Sequence, residues 1–193
     1  MANKPFDTNL FDKAAQFAIN AHHCTERRGK ASPYIIHCME AAAIVESITN
    51  DQELLAAAIL HDTVEDTDTT IEQIRAEFGD RVAKLVAAES IEVPEGESEE
   101  SSWHARKQAS MDMISSGDYD FQVVAMGDKL SNMRAIYRDY LAIGDKLWDR
   151  FHAKDKADHA WHYRGIAKSF TLLKDTPAYR EFKKLCDLTF GEE

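Results

Sequence analysis

The chain has 193 residues, 44% of them hydrophobic, and a formal charge of −11 with its basic residues scattered. That length and apolar content suit a single domain with a real core. The acidic balance excludes a general nucleic-acid or anionic-membrane binder, because both need a basic footprint, but it leaves room for a small anionic ligand in a local basic pocket. Cys24, Cys38 and Cys186 form no C-x-x-C pair and are odd in number, which reads as reduced thiols in a cytoplasmic protein. Met1 to Asp7 lacks a signal-peptide apolar region and no stretch reaches membrane-span length, so the expectation is a soluble, cytoplasmic protein with no membrane partner. Oligomeric state stays open.

Almost every periodic segment reads as helix. From Asn9 to about Cys24, Leu10, Phe11, Ala14, Ala15, Phe17, Ala18 and Ala21 make one apolar face. A basic loop, Thr25 to Pro33, breaks it. Helices follow over Ile35–Thr49 and Asp51–His61. Thr69-Thr70-Ile71-Glu72 has the form of a capping box, and the helix it opens should stop at Phe78, with Gly79 suited to positive φ. Another runs from Asp80 to Ala88. Glu92 to Ser102, rich in Glu and Ser with Pro94 and Gly96, reads as an exposed loop. Helices resume at Trp103–Ser115, Phe121–Ala142, Lys146–Ala153, Asp158–Leu173 and Pro177–Leu188. No strand, repeat or low-complexity tract intervenes. The fold class is therefore an all-α bundle, one domain over residues 1–193, with its motifs between about 8 and 140 and C-terminal helices 145–190 packed on them.

Chemistry gathers at His61-Asp62-Thr63-Val64-Glu65-Asp66, directly after the apolar run Leu54 to Leu60. A helix carried through it makes His61 and Glu65, and Asp62 and Asp66, i,i+4 neighbours. Three carboxylates and an imidazole at a buried helix end need a positive partner, and a divalent cation is the simplest one. Two further residues join them: His37, one turn into the second helix on its apolar face, and Asp128, after the apolar run Val123 to Met126, with Asn132 one turn on. Two imidazoles and two carboxylates suit one Mn²⁺, Fe²⁺ or Zn²⁺ ion and leave octahedral positions open. Oxygen-rich donors favour Mn²⁺ among them.

The order His…His-Asp…Asp resembles the HD phosphohydrolases. Pro33-Tyr34-Ile35-Ile36-His37, Ala58 to Thr67 leading to Phe78-Gly79, and Gly127-Asp128-Lys129-Leu130-Ser131-Asn132-Met133-Arg134 resemble the hydrolase domain of RelA/SpoT-type alarmone enzymes and the stand-alone small alarmone hydrolases. The resemblance spans about residues 8–140. It implies an HD-domain helical fold and Mn²⁺-dependent hydrolysis of the 3′-pyrophosphate of (p)ppGpp, a small nucleotide, to GDP or GTP and pyrophosphate. Carried over by motif, His37, His61, Asp62 and Asp128 hold the metal. Glu65 and Asp66 orient and deprotonate the attacking water or assist the leaving oxygen. Arg28 stacks on the base and Asn132 lies in the substrate pocket. Arg27, Arg28 and Lys30 form a cationic lip, and Arg106 and Lys107 are set to meet a phosphate, while Trp103 reads as core.

Departures from that pattern bear on specificity. The chain has no room for a synthetase domain, so hydrolysis would stand alone. The segment between Ala87 and Trp103 differs from the long enzymes, and Lys30 sits where some members carry a small polar residue. The alternatives are a related HD enzyme acting on NADPH 2′-phosphate, (p)ppApp, a nucleoside 5′-phosphate or a dNTP, and a non-catalytic nucleotide-binding regulator. His152, His159 and His162 invite a second metal site, but binuclear members place extra histidines before the last aspartate, where only His104 falls here. Trp161-His162-Tyr163-Arg164 reads as a packed helix with polar edges.

Overall fold

The computed structural model describes residues 8–27, 30–89, 96, 98 and 101–192, and these form an all-α bundle. In chain order its helices are α1 (Asn9–Ala21), α2 (Ile35–Glu46), α3 (Gln52–Leu60), α4 (Thr63–Asp66), α5 (Ile71–Phe78), α6 (Asp80–Glu89), α7 (Trp103–Ser116), α8 (Tyr119–Ile143), a 3₁₀ segment (Gly144–Arg150), α9 (Lys156–Ser169) and α10 (Pro177–Phe190). Among the described residues the only extended pairing is an isolated bridge between Glu26 and Pro33. No helix among them is long and apolar enough to cross a membrane.

The bundle is built around α3. Every residue from Leu54 to Leu60 is buried, so the helix is apolar around its whole circumference and has to be enclosed. It packs against α1, α2, α6 and α8. Asp51 starts it by accepting the Glu53 backbone N–H. His61, at its far end, therefore emerges from the centre of the protein. The second internal element is α8, buried continuously from Phe121 to Asp128. It lies along α2 with backbones nearly touching at Gly127, where a Cβ would stand 2.7 Å from the Ala41 carbonyl oxygen and 2.9 Å from Val45 Cγ2. That approach sets Asp128 beside His37. The C-terminal helices close the other side: α9 packs on α7, and α10 on α8 and α9, with Arg134 of α8 ion-paired to Glu181 of α10 at 2.7 Å.

Several local expectations change. The helix does not run through residues 61–66: α3 stops at Leu60, His61-Asp62 forms a turn, and α4 is a separate short helix. The Asp66 N–H still reaches the Asp62 carbonyl at 2.9 Å, so the i,i+4 relation of that pair survives the break. The capping box is one residue later than expected, with Thr70 and Gln73 exchanging side-chain and backbone hydrogen bonds. α1 ends at Ala21 rather than Cys24, which takes a positive φ of 61°. In place of the expected helix over 146–153 stands the 3₁₀ segment, which begins at Gly144 with φ 60° and ends at Arg150. α9 ends at Ser169 because Gln122 takes the Leu172 backbone N–H at 3.0 Å. The acidic loop lies mostly outside the described residues. Its last residue, Ser102, is fully buried rather than exposed and donates to the Ser98 carbonyl at 2.7 Å.

Candidate active site

Three elements bring four ligand-type side chains to one point. His37 comes from the first turn of α2, His61 and Asp62 from the turn after α3, and Asp128 from α8. His37 Nε2 lies 3.1 Å from Asp128 Oδ1 and 3.3 Å from Asp62 Oδ2. His61 Nε2 lies 2.8 Å from Asp62 Oδ2 and 3.6 Å from Asp128 Oδ1. Both histidines are almost wholly buried.

Their tautomers follow from the opposite ring nitrogens. His61 Nδ1 is 2.8 Å from the Ala58 carbonyl, which only accepts, so Nδ1 carries the hydrogen. His37 Nδ1 is 2.8 Å from Ser131 Oγ, whose own proton goes to Glu40 at 2.8 Å, so the hydroxyl accepts from His37. Each imidazole thus turns an Nε2 lone pair toward the two aspartates, as a metal ligand requires. Glu40 and Ser131 were missed at the sequence level, although each lies one helical turn from a candidate ligand.

The donor set suits a divalent cation. His61 Nε2 is buried without a hydrogen-bond partner among the described residues. Single donor atoms of His37, His61 and Asp128 lie within 4.8 Å of one another. Cys38, His61 and Asp62 form a second such group, but burial pushes the Cys38 thiol up to about 12, so it stays protonated and is a poor ligand. Burial alone would lower the His61 pKa, but Asp62 and Asp128 outweigh it and hold the imidazole well above its ordinary value. Burial would likewise raise Asp128, and Lys129, His37 and His61 instead hold it well below the usual carboxylate range.

The turn beyond divides its two carboxylates. Glu65 lines a cavity with His37, Asp62 and Asp128. Burial, then Asp62 and Asp66, raises its pKa to about 7. Its side chain is open to the cavity, yet enough protein surrounds it to penalise the charge. Asp66 instead lines a neighbouring groove with Asn20, Thr25 and Thr67. Tyr34 links the two regions: its hydroxyl donates to Asp62 Oδ2 at 2.8 Å, and Asp66 is also within its hydrogen-bonding reach. Behind Tyr34, and absent from the sequence-level set, His22 stacks with ring centroids 5.0 Å apart. It is buried, and neither ring nitrogen has a hydrogen-bond partner among the described residues.

The cavity itself is about 190 Å³ and polar. Asn132 lines it, donates to Asp128 Oδ1 and accepts from Arg27 Nη2 at 2.6 Å. Arg27 also lies over the Tyr34 ring, 5.9 Å from its centroid. Arg27 therefore reaches the site through Asn132 and Tyr34; Arg28 lies outside the described residues. Lys30 pairs with Asp139 at 3.0 Å and does not line the cavity. Arg106 and Lys107 do line it, as do Lys129, Glu89, Ser110, His162 and Tyr163. Lys129 reaches both Asp128 at 2.6 Å and Glu89 at 3.2 Å. A larger cavity of about 840 Å³ between α7 and α9 contains none of the candidate ligands, and the chemistry, not the volume, identifies the site. Trp103 is buried, as expected of core. His159 bonds the Ala153 carbonyl at 2.8 Å, and among the described residues the C-terminal histidines belong to no metal-type cluster.

Known proteins resemble this chain. Residues 14–145 match the HD domain family. The chain is 34% identical over 131 residues to the Homo sapiens guanosine-3′,5′-bis(diphosphate) 3′-pyrophosphohydrolase MESH1, a match covering 65% of this chain and 69% of that one. It is 31% identical over 137 residues to the Aquifex aeolicus guanosine-3′,5′-bis(diphosphate) 3′-pyrophosphohydrolase, covering 71% of this chain but only 19% of that protein, so the chain spans about a fifth of such long relatives. Among solved structures, lmo0812 from Listeria monocytogenes EGD-e is 27% identical with a TM-score of 0.70, over 81% of this chain and 99% of that one. A metazoan ortholog of SpoT, described as hydrolysing ppGpp, is 18% identical with a TM-score of 0.75 over 98% of this chain and 100% of that one, a likeness of fold. The sequence match, spread over the three elements that carry His37, His61-Asp62 and Asp128, makes this chain a member of the HD domain family.

Proposed function

We propose that the protein is a Mn²⁺-dependent hydrolase of (p)ppGpp that releases pyrophosphate from the ribose 3′ position and leaves GDP or GTP. The observation that carries this reading is the convergence of two imidazole Nε2 atoms and two carboxylates, with His37, Asp62 and Asp128 lining one small polar cavity beside Glu65. The names of the relatives, guanosine-3′,5′-bis(diphosphate) 3′-pyrophosphohydrolases, supply the substrate. We take the whole chain as one cytoplasmic domain in which α9 and α10 help close the site.

His37, His61, Asp62 and Asp128 would hold one ion, and a nitrogen and oxygen set without thiolate favours Mn²⁺, with Fe²⁺ or Zn²⁺ also compatible. When bound, the cation acidifies water and offsets charge on the phosphorus oxygens. Glu65, with a pKa near neutrality, takes a proton from the attacking water. The water oxygen bonds to the phosphorus adjoining the ribose, the bond from that phosphorus to the 3′ oxygen breaks, and the 3′ oxygen leaves with a proton returned by the same carboxyl. Tyr34 holds Asp62 from behind. Asn132 and Arg27 form the mouth on the nucleoside side, and Arg106 and Lys107 face phosphate.

The test is a panel of 3′-pyrophosphorylated, 2′-phosphorylated and 5′-phosphorylated nucleotides incubated with Mn²⁺ and resolved by chromatography. Pyrophosphate release from ppGpp, lost in His61→Ala and Glu65→Ala, is the expected result. Turnover of a 5′-monophosphate alone contradicts it.

A further inference from the structure

The wall contributed by α9 lies outside the region that matches the HD domain family, which ends at residue 145. Yet α9 reaches the cavity. It packs on α7, and His162 from α9 lines the same 190 Å³ space as Lys107 and Ser110 from α7. His162 is 6% exposed, and its Nδ1 has no hydrogen-bond partner among the described residues. Its ring packs against Trp103, with centroids 6.0 Å apart, and against Tyr163 at 5.1 Å. Packing accounts for an aromatic ring there but not for its nitrogens: a phenylalanine would fill the space without a buried, unsatisfied polar atom, which costs about 1–3 kcal/mol.

Lys107 presents the complementary anomaly. Lys129, its neighbour on the wall, spends its charge on Asp128 and Glu89. Lys107 makes no ion pair or hydrogen bond among the described residues, although it faces the same cavity. Burial, with Lys129 and Arg106 nearby, holds its pKa down to about 8. A cation without an ion-paired or hydrogen-bonded partner among the described residues, an imidazole nitrogen without one and a serine hydroxyl therefore share one wall, in a chain whose net charge is −11. Such a set is complementary to an oxyanion. The cavity is too small for a nucleotide, whose base and ribose must remain at the mouth near Arg27 and Asn132. The anion that fits is one joined directly to the phosphorus under attack.

We propose that Lys107, Ser110 and His162 form a subsite for the distal phosphate of the substrate's 3′-diphosphate, with His162 as the residue that makes the site prefer a diphosphate to a single phosphate. The assignment rests on the hydrolase reading above, and its test is separable from it. The probe is inorganic pyrophosphate, titrated calorimetrically into the Mn²⁺-loaded protein, with inorganic phosphate and Mn²⁺ alone as parallel titrations. His162→Phe and Lys107→Met are expected to weaken pyrophosphate binding by about tenfold or more while phosphate and Mn²⁺ affinities hold, and His162→Gln, which restores a donor, to recover part of the loss. Unchanged pyrophosphate affinity in either folded variant overturns the subsite, as does wild-type protein that binds pyrophosphate no better than phosphate. Should ppGpp go unhydrolysed while pyrophosphate binding still depends on His162, the hydrolase reading falls and the subsite stands.

Discussion

His61 Nε2 lies 2.8 Å from Asp62 Oδ2, yet the two form no hydrogen bond. Both atoms border the point that His37 Nε2 and Asp128 Oδ1 also approach. Burial disfavours a charged His61, but Asp62 and Asp128 outweigh it and raise its pKa well above the ordinary value, so a proton and a cation compete for Nε2. A metal ion must displace that proton. Mn²⁺ affinity should therefore rise with pH, and calorimetry in buffers of different ionisation enthalpy should detect proton release. Affinity that does not change between about pH 6 and about pH 8 contradicts this exchange.

Tyr34 is placed to orient Asp62 through its 2.8 Å hydrogen bond. Tyr34→Phe keeps the ring stacked on His22 and removes only the hydroxyl. The expected result is a loss of about 10–100-fold in Mn²⁺ affinity with little change in helical content. Electron paramagnetic resonance of free Mn²⁺ measures the first and circular dichroism the second. An unchanged affinity removes Tyr34 from the metal's support.

Glu65 gives a prediction about stability as well as rate. Its folded pKa is raised to about 7 from 4.5, so between those values the folded state binds more protons than the unfolded one. Stability of the metal-free protein then falls as pH rises through that window. Glu65→Gln does not titrate, so its stability relative to wild type should increase from acid to neutral pH while turnover is lost. Thermal melts in chelator across that range test the sign, and a relative stability that is flat or falls with pH rejects it.

Gly127 holds α2 and α8 together at the level of the site. A Cβ there meets a backbone carbonyl at 2.7 Å, which a rotamer change cannot relieve. Gly127→Ala should cost about 1–3 kcal/mol despite alanine's better helix propensity, measured by urea denaturation. Because the same contact sets His37 beside Asp128, Mn²⁺ affinity should fall with it. A variant as stable as wild type shows that the helices can part without cost.

The all-α class and the positions of most helices were legible because apolar periodicity reports a local property. Leu54 to Leu60 announces a buried helix, and His61-Asp62 directly after it announces buried charge. What the sequence could not show was set by contacts between distant segments. Gln122 ends α9 by capturing the Leu172 N–H across the fold. The separation of Glu65 from Asp66 depends on how α1 and Tyr34 close one side of the turn. His162 looked like one polar edge of a packed helix, and only the docking of α9 on α7 brings it into the cavity. Arg27 reads as one of three cations in a basic loop, and its bond to Asn132 joins segments far apart in the chain.

The central claim is that water attacks the phosphorus adjoining the ribose, at the point where His37, His61, Asp62 and Asp128 converge. The most direct measurement is hydrolysis of ppGpp with Mn²⁺ in heavy-oxygen water, with mass analysis of both products. One solvent oxygen is expected in the released pyrophosphate and none in the GDP. Label in the GDP, or orthophosphate released with a 3′-monophosphate left on the nucleotide, would contradict it.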